Sequence, residues 1–402
     1  MVLVLVSSHP QAAVRLDAAT ATDPGRTSNS IRIECFVEAL STQVRSAQRP
    51  QPHSPLGCPY QPPPPKNHEM TPDHRPASPT QADVARAAGV STAVVSYVVN
   101  NGPRPVSPEA RERVEAAIQA LGYSPNASAR ALRSGASRLL GVCVPGARNP
   151  YHAELVEHVA TAADQAGYGT LLMTTDASPR REDELITALI DRGVDGLIIS
   201  PTKAPQAYDH LTRHLPTALL CAAAPSASHH TIGADLEDGA RQAVTHLIGH
   251  GHTSIALLMA PLDSWDLNGR VRGWKAALAE HDLPQVLIET TEWSRVAGRR
   301  AMLQLLDTPT PPTAVLAGSD LLALGALRAL WERGMTAPRD MALVSTDGTE
   351  SVLMSTPRLT TLTQPFEAMA AAAVDAVTEP QRKATLTLFP MRLETGESCG
   401  CA

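Results

Sequence analysis
The chain has 402 residues, a net charge of −6 and 43% apolar side chains. That is enough for two or three domains with a sizeable buried core, and it excludes a chain that is basic throughout, as a purely electrostatic nucleic-acid binder would be. Six cysteines (Cys35, Cys58, Cys143, Cys221, Cys399 and Cys401) contain no CxxC pair and no regular framework, which fits a reducing compartment rather than a disulfide scaffold.

The opening MVLVLV lacks a basic leader and is too short for a signal segment or a membrane span, so the chain is expected in the cytoplasm with no membrane partner. Residues 51–66 are dominated by proline, and no amphipathic period is sustained across residues 1–78. Such a composition cannot bury enough apolar surface to offset chain entropy. Residues 1–78 are therefore expected to form a disordered extension, with Met70 as an alternative start ten residues ahead of the next signal.

That signal is Thr80-Gln81-Ala82-Asp83, which has the [ST]-x-x-[DE] form of a capping box and opens a short helix through Ala88. Gly89-Val90-Ser91 makes a tight turn, and Ser91 can cap a second helix over 92–99. In that helix Val95, Val98 and Val99 supply packing, while Thr92, Ala93, Ser96 and Tyr97 are free to face outward. A third helix follows Ser107, with Pro108 suited to its first position and Gly122 to its end. Asn126 then caps a segment of about nine residues that Gly135 stops, too short to be a stable isolated helix. Charge is uneven. Between residues 79 and 138 seven arginines face four carboxylates, a balance of +3, which leaves −9 on the rest. A small phosphate-neutralising head on a larger ligand-binding body would show this asymmetry.

The run VARAAGVSTAVVSYVVN followed by VSPEARERVEAAIQALGYSPNASARAL resembles the LacI/GalR family of bacterial transcription regulators. The resemblance extends over residues 80–398, with motifs in consistent order. It implies a small all-α helix-turn-helix head (79–123) and a hinge helix (124–137). These would be joined to an α/β, two-lobed effector domain like the type I periplasmic binding proteins (138–398), followed by a tail (399–402). It further implies a homodimer on a pseudo-palindromic DNA operator, with each second helix in a major groove. The candidate DNA-contacting residues are Ser91, Thr92, Ala93, Ser96, Tyr97 and Asn100 in the head. In the hinge they are Asn126, Arg130 and Leu132, the last matching the family's minor-groove wedge. One departure matters. Where the family commonly reads T-V-S-R, this chain has Val94-Val95-Ser96-Tyr97, so a guanine-gripping arginine is replaced by one hydroxyl and an apolar ring.

After Arg138, short apolar runs at 139–144, 170–174, 196–200, 217–221, 254–259, 314–317 and 342–345 alternate with amphipathic stretches. The pattern predicts parallel sheets covered on both faces, with ligands at the carboxyl ends of the strands. The resemblance places crossings between lobes near Thr231, at 361–364 and at 378–387. It also places a small-molecule effector between the lobes, with Tyr151, Asp176, Arg270, Trp293, Asp320, Asp347 and Gln364 at cleft positions. Thr175 closes the same strand as Asp176. Arg270 is the arginine of an R-x-x-G-aromatic motif with Gly273-Trp274, and its fork suits vicinal hydroxyls or a carboxylate. Trp293 with Arg270 and Asp320 favours a sugar, a purine being the alternative. Trp274 and Tyr151 could instead be packing aromatics, and Asp347 a turn former beside Gly348.

His246, His250 and His252 cluster, but a metal reading needs further ligands that this stretch does not show, and Cys399-x-Cys401 reads as a frayed end. No metal or cofactor is expected. No G-x-S-x-G elbow, Walker loop or G-x-G-x-x-G is present, and no paired carboxylates stand out, so the chain is expected not to be an enzyme. A solute receptor of the same α/β fold is the other reading, although it would have no use for residues 80–132.

Overall fold
In the computed structural model, residues 2–4, 79–100, 102, 104–124, 135–260, 268–290, 292–379 and 383–401 are described. Contacts divide the chain into two units near residue 125.

The first strand, β1 (Val2–Val4), pairs in parallel with β8 (Gln285–Glu289), Leu3 opposite Leu287. At these three residues the expectation that residues 1–78 stay outside the fold is corrected, because an edge strand supplies unpaired backbone groups to any short extended run. The rest of that expectation lies outside the described residues.

Among the described residues, the smaller unit has three helices. The first, α1 (Gln81–Ala88), starts at a reciprocal capping box: Thr80 Oγ1 accepts from the Asp83 amide at 3.3 Å, and Asp83 Oδ2 accepts from the Thr80 amide at 2.9 Å. Gly89 ends it at φ 64°, where a side chain would be strained. The second, α2 (Thr92–Asn100), turns away from α1 by 106°, within the range of helix-turn-helix pairs. Gln81 Nε2 braces the turn by donating to the Thr92 carbonyl at 2.9 Å. The third, α3 (Pro108–Leu121), is capped by Ser107, and its Arg113 donates to the Ala88 carbonyl at 3.1 Å. Val84, Ala85, Ala88, Val95, Val98, Val114 and Ala117 form its buried core.

The larger unit alternates strand and helix. Its first half contains β2 (Leu139–Val144), α4 (Pro150–Gln165), β3 (Gly169–Thr174), α5 (Pro179–Asp191), β4 (Gly196–Ile199), β5 (Thr217–Leu220) and β6 (His230–Ala234). The second half continues with α6 (Leu236–Gly249), β7 (Ile255–Met259), α7 (Asn268–Ala279), β8, α8 (Arg295–Leu306), β9 (Ala314–Ala317) and α9 (Asp320–Glu332). Then come β10 (Ala342–Asp347), α10 (Glu350–Leu353), β11 (Thr360–Thr363), α11 (Phe366–Thr378), β12 (Leu386–Phe389) and β13 (Arg392–Glu394).

These strands form two sheets, ordered β12-β6-β5-β4-β2-β3 and β1-β8-β7-β9-β10-β11-β13, parallel except for β13 against β11. Central strands such as β4, β5, β7 and β9 are buried at every residue, as sheets covered on both faces require. Each fully buried Leu or Ile there contributes about 1.5–3 kcal/mol.

From β2 onward the chain passes between the sheets three times. The first passage follows Ala234, and the second is at Gln364-Pro365, where α11 leaves β11 to pack on α4 and β5. The third lies between Phe389 and Arg392. The passage expected near Thr231 comes just after it, since Thr231 lies within β6, and the one expected at 378–387 is corrected: Thr378 ends α11 and Leu386 opens β12, both in the first lobe. The expected frayed end is also corrected. Ser398 and Cys399 are buried in a 3-10 turn (Glu397–Cys399), where Ser398 Oγ donates to the Leu343 carbonyl at 2.5 Å.

Candidate functional site
Ser91, just ahead of α2, and Thr92, Ala93 and Asn100 on it are exposed, while Ser96 and Tyr97 are half-buried. Asn100 Nδ2 donates to the Ser96 carbonyl at 3.0 Å and to its hydroxyl at 3.3 Å, fixing the end of the helix. Tyr97 is less free than its spacing suggests: a Cβ on Gly102 would stand 2.5 Å from its ring, so that glycine admits the ring beside the backbone. Asn126, Arg130 and Leu132 lie outside the described residues.

A second group of candidates meets where strand ends of the two lobes face each other. Asn149 caps α4 with its Oδ1, accepting from the Tyr151 amide at 3.2 Å, and so aims Tyr151 from the first lobe. The phenol stands 3.2 Å from Gln364 Oε1 and 2.9 Å from Cys221 Sγ, and its ring meets Phe366 edge-on. Gln364 Nε2 donates to Asp347 Oδ1 at 3.0 Å, and Arg270 Nη2 lies 3.6 Å from the same oxygen. The Arg270 guanidinium sits 5.7 Å from the Trp293 ring centroid. Its Nε is buried and has no acceptor. Tyr151, Gln364, Asp347, Arg270 and Trp293 are therefore one continuous polar and aromatic wall. Glu154 Oε1, accepting from the Glu350 amide at 3.2 Å, is a further contact across the lobes.

Asp320 is set one layer deeper. It is 3% exposed, and Oδ2 accepts from the Thr349 amide at 2.7 Å and from its hydroxyl at 2.8 Å, while Thr361 Oγ1 is 3.5 Å from Oδ1. Its own amide points at Asp347 Oδ2 at 3.4 Å. Asp347 ends β10 at φ 122°, a strained conformation for a residue with a side chain. The adjoining Gly348 is required, since a Cβ there would lie 2.6 Å from the Thr363 backbone. Asp347 is thus both turn former and part of the polar wall. Asp176 stands apart: it is exposed and ion-paired to Arg181 at 2.6 Å. Thr175 is fully buried, and its hydroxyl has no partner. Trp274 is a core residue, fully buried, with its indole N–H donating to the Ile255 carbonyl at 3.2 Å. Cys221, Thr349 and Thr361 belong to the network but were not foreseen; Thr349, directly after Asp347-Gly348, was the most accessible of these signals.

Burial pushes the Asp347 carboxyl well above its ordinary range, the Asp320 charge adds to this, and Arg270 partly opposes it. Burial likewise raises Asp320 to about 6, against the Thr349 hydrogen bonds. A carboxyl raised on folding takes up protons, so its stabilising contribution is complete below the unfolded value near 3.8 and is lost as pH rises to about 6. Asp320→Asn keeps an acceptor for Thr349 without titrating. The stability of the variant relative to the parent is therefore expected to grow by about 2–3 kcal/mol between pH 4 and 7. Parallel melting profiles of the two proteins across this window would contradict the assignment.

Among the described residues, His252 Nδ1 meets Thr313 Oγ1 at 2.9 Å, whereas His246 and His250 gather with Cys399 and Cys401. The partners missing from the local sequence are supplied from the far end of the chain.

Residues 80–126 match the model for bacterial regulatory proteins of the lacI family, and residues 244–399 match a periplasmic binding protein-like domain. The chain is 33% identical over 329 residues to the ribose operon repressor of Escherichia coli (strain K12), covering 79% of this chain and 99% of the relative. The lac repressor dimer bound to operator and the anti-inducer ONPF superposes with a TM-score of 0.73 at 31% identity, over 80% of this chain and 99% of that one. A LacI family transcriptional regulator from Enterococcus faecium with bound ribose gives a TM-score of 0.60 at 26% identity, over 65% and 98%. With a helix-turn-helix unit and a two-sheet effector domain in the same order, the chain belongs to the LacI family: it is a DNA-binding, ligand-responsive transcriptional regulator and not an enzyme.

Proposed function
We propose that the protein is a cytoplasmic repressor that binds a pseudo-palindromic operator as a homodimer and is controlled by a sugar or sugar derivative between its lobes. Among the described residues no single helix is long and apolar enough to cross a membrane. The effector reading rests on Arg270, whose buried Nε lacks an acceptor while its Nη2 is only loosely paired with Asp347. A donor left unmatched in a desolvated site calls for an oxygen-bearing ligand. Trp293 and Tyr151 offer ring faces, and Asp347 and Gln364 offer polar partners. Asp320 orients Asp347 from behind, and Asp176 marks the outer edge of the same strand ends. A thermal-shift screen of pentoses, hexoses and purines tests the assignment, because a ligand that binds the folded state stabilises it by mass action. A shift with purines and with no carbohydrate would replace the sugar reading.

On DNA, Ser91 together with Thr92, Ala93, Ser96, Tyr97 and Asn100 of α2 reads the major groove, and Asn126, Arg130 and Leu132 serve the hinge. Tyr97→Ala is expected to cost on the order of 1–3 kcal/mol, concentrated at one base pair per half-site. Leu132→Ala removes a wedge shared by both half-sites and should weaken all operator variants by similar factors. Base-by-base operator scans with the same profile for both variants would remove Tyr97 from the reading surface.

A further inference from the structure
His246 lies in the last turn of α6, and His250 follows it by one turn as the helix C-cap. Their rings meet edge-on with centroids 4.7 Å apart. The end of the chain comes back to this point. Cys399 closes the 3-10 turn, Gly400 takes φ 99°, and Cys401 follows. The left-handed glycine reverses the backbone between the cysteines, so both sulfurs face the imidazoles. His246 Nε2 is 3.2 Å from Cys399 Sγ and 3.6 Å from Cys401 Sγ, and His250 Nε2 is 3.4 Å from Cys401 Sγ. All four donor atoms lie within 4.8 Å of one another.

A tetrahedral zinc ion with Zn–S of about 2.3 Å and Zn–N of about 2.0 Å requires S···N edges of roughly 3.5 Å. The three S···N distances of 3.2, 3.4 and 3.6 Å bracket that value. We propose that His246, His250, Cys399 and Cys401 form a Cys2His2 zinc site that fastens the end of the chain to α6. Two thiolates and two neutral imidazoles are the donor set that favours zinc over the hard, oxygen-seeking cations. Four protein ligands leave no open position, which makes the site structural rather than catalytic. Metal entry forms two Zn–S and two Zn–N bonds and releases the two thiol protons to solvent.

The surroundings are built to hold these ligands. The Thr360 hydroxyl donates to Cys399 Sγ at 2.9 Å, an outer contact of the kind that orients and stabilises a metal-bound thiolate. The turn carrying Cys399 is itself anchored to the second-lobe sheet, because Ser398 Oγ accepts from the Thr360 amide at 2.9 Å and donates to the Leu343 carbonyl. None of the four ligands belongs to the network of Tyr151, Gln364, Asp347 and Arg270, so the site is independent of the effector assignment.

The test uses the full chain without a polyhistidine tag, purified under reducing conditions, loaded with zinc and dialysed. Wild type should retain about one zinc per chain by elemental analysis. Its cobalt-substituted form should show the strong visible bands of a tetrahedral ion together with thiolate-to-cobalt charge transfer. In the double variant His250→Ala, Cys401→Ala, both sites of substitution being partly exposed or exposed, zinc should fall to less than about a tenth of that and the cobalt bands should vanish. Chelation should lower the melting temperature of wild type and leave that of the variant unchanged. Should the double variant not fold, Cys401→Ser alone is expected to lose the tetrahedral spectrum. The proposal is overturned if wild type keeps no zinc, if variant and wild type keep equal amounts, if cobalt gives only a weak octahedral spectrum, or if Cys399 and Cys401 prove to be joined as a disulfide that excludes metal.

Discussion
Replacing Arg270 by alanine is expected to weaken binding of the sugar found in the thermal-shift screen by about 2–4 kcal/mol, the cost of leaving polar ligand groups unpaired in a desolvated site. Operator affinity in the absence of effector should change less than about threefold, since sites without shared partners respond nearly independently. The two readouts separate because Arg270 contacts Asp347 and Trp293 in the effector domain, whereas operator recognition belongs to α2. Loss of Arg270 also strips Asp347 of its nearest cation. Burial already holds that carboxyl well above its ordinary range, and removing the opposing Arg270 charge pushes it further in the same direction. Arg270→Lys should restore little, because an ammonium lacks the planar fork that spans two acceptors. Calorimetry is the direct check, and wild-type sugar affinity in Arg270→Ala would move the site elsewhere.

How far the sequence carried this picture depended on where the physical information was stored. Strands buried on both faces, such as β4 and β7, are unbroken apolar runs and could be read at once. Strands β6 (HTIGA) and β11 (TTLT) could not, since their hydrogen-bonding partners, and not their hydropathy, make them strands. The resemblance marks a passage near each of them, and the chain does leave its sheet just after both strands, following Ala234 and at Gln364-Pro365. The site divides in the same way. Arg270, Trp293, Asp347 and Gln364 stand at motif positions, and the fold draws them together. The depth of Asp320 could not be foreseen, because it is set by Thr349 and Thr361 from two other elements. Cys399 and Cys401 looked like a loose end since their partners, His246 and His250, are about 150 residues away, and only the closure of β13 against β11 brings them back.

The glycine of the R-x-x-G-aromatic motif has a purely steric reason, and it predicts a large effect. A Cβ at Gly273 would stand 2.0 Å from the Glu237 carbonyl oxygen and 3.0 Å from Ala240 Cβ, where α7 crosses α6. The obstacle is backbone, so no side-chain rotation relieves it, and the two helices must move apart. Elsewhere in a helix, glycine to alanine gains about 1 kcal/mol of propensity. At Gly273 that gain is outweighed, and Gly273→Ala is expected to destabilise the effector domain by about 3 kcal/mol or more, lowering its melting temperature by roughly 6–12 °C. Gly249 is the control on the neighbouring helix: nothing lies within 4 Å of an added Cβ there, so Gly249→Ala should be neutral or raise the melting temperature slightly. Arg270 stands one turn before Gly273 on α7, so separating the helices also displaces its guanidinium, and sugar affinity should fall together with stability in Gly273→Ala but not in Gly249→Ala. Equal melting temperatures for the two variants would show that the close approach of α6 and α7 is not what the motif glycine provides.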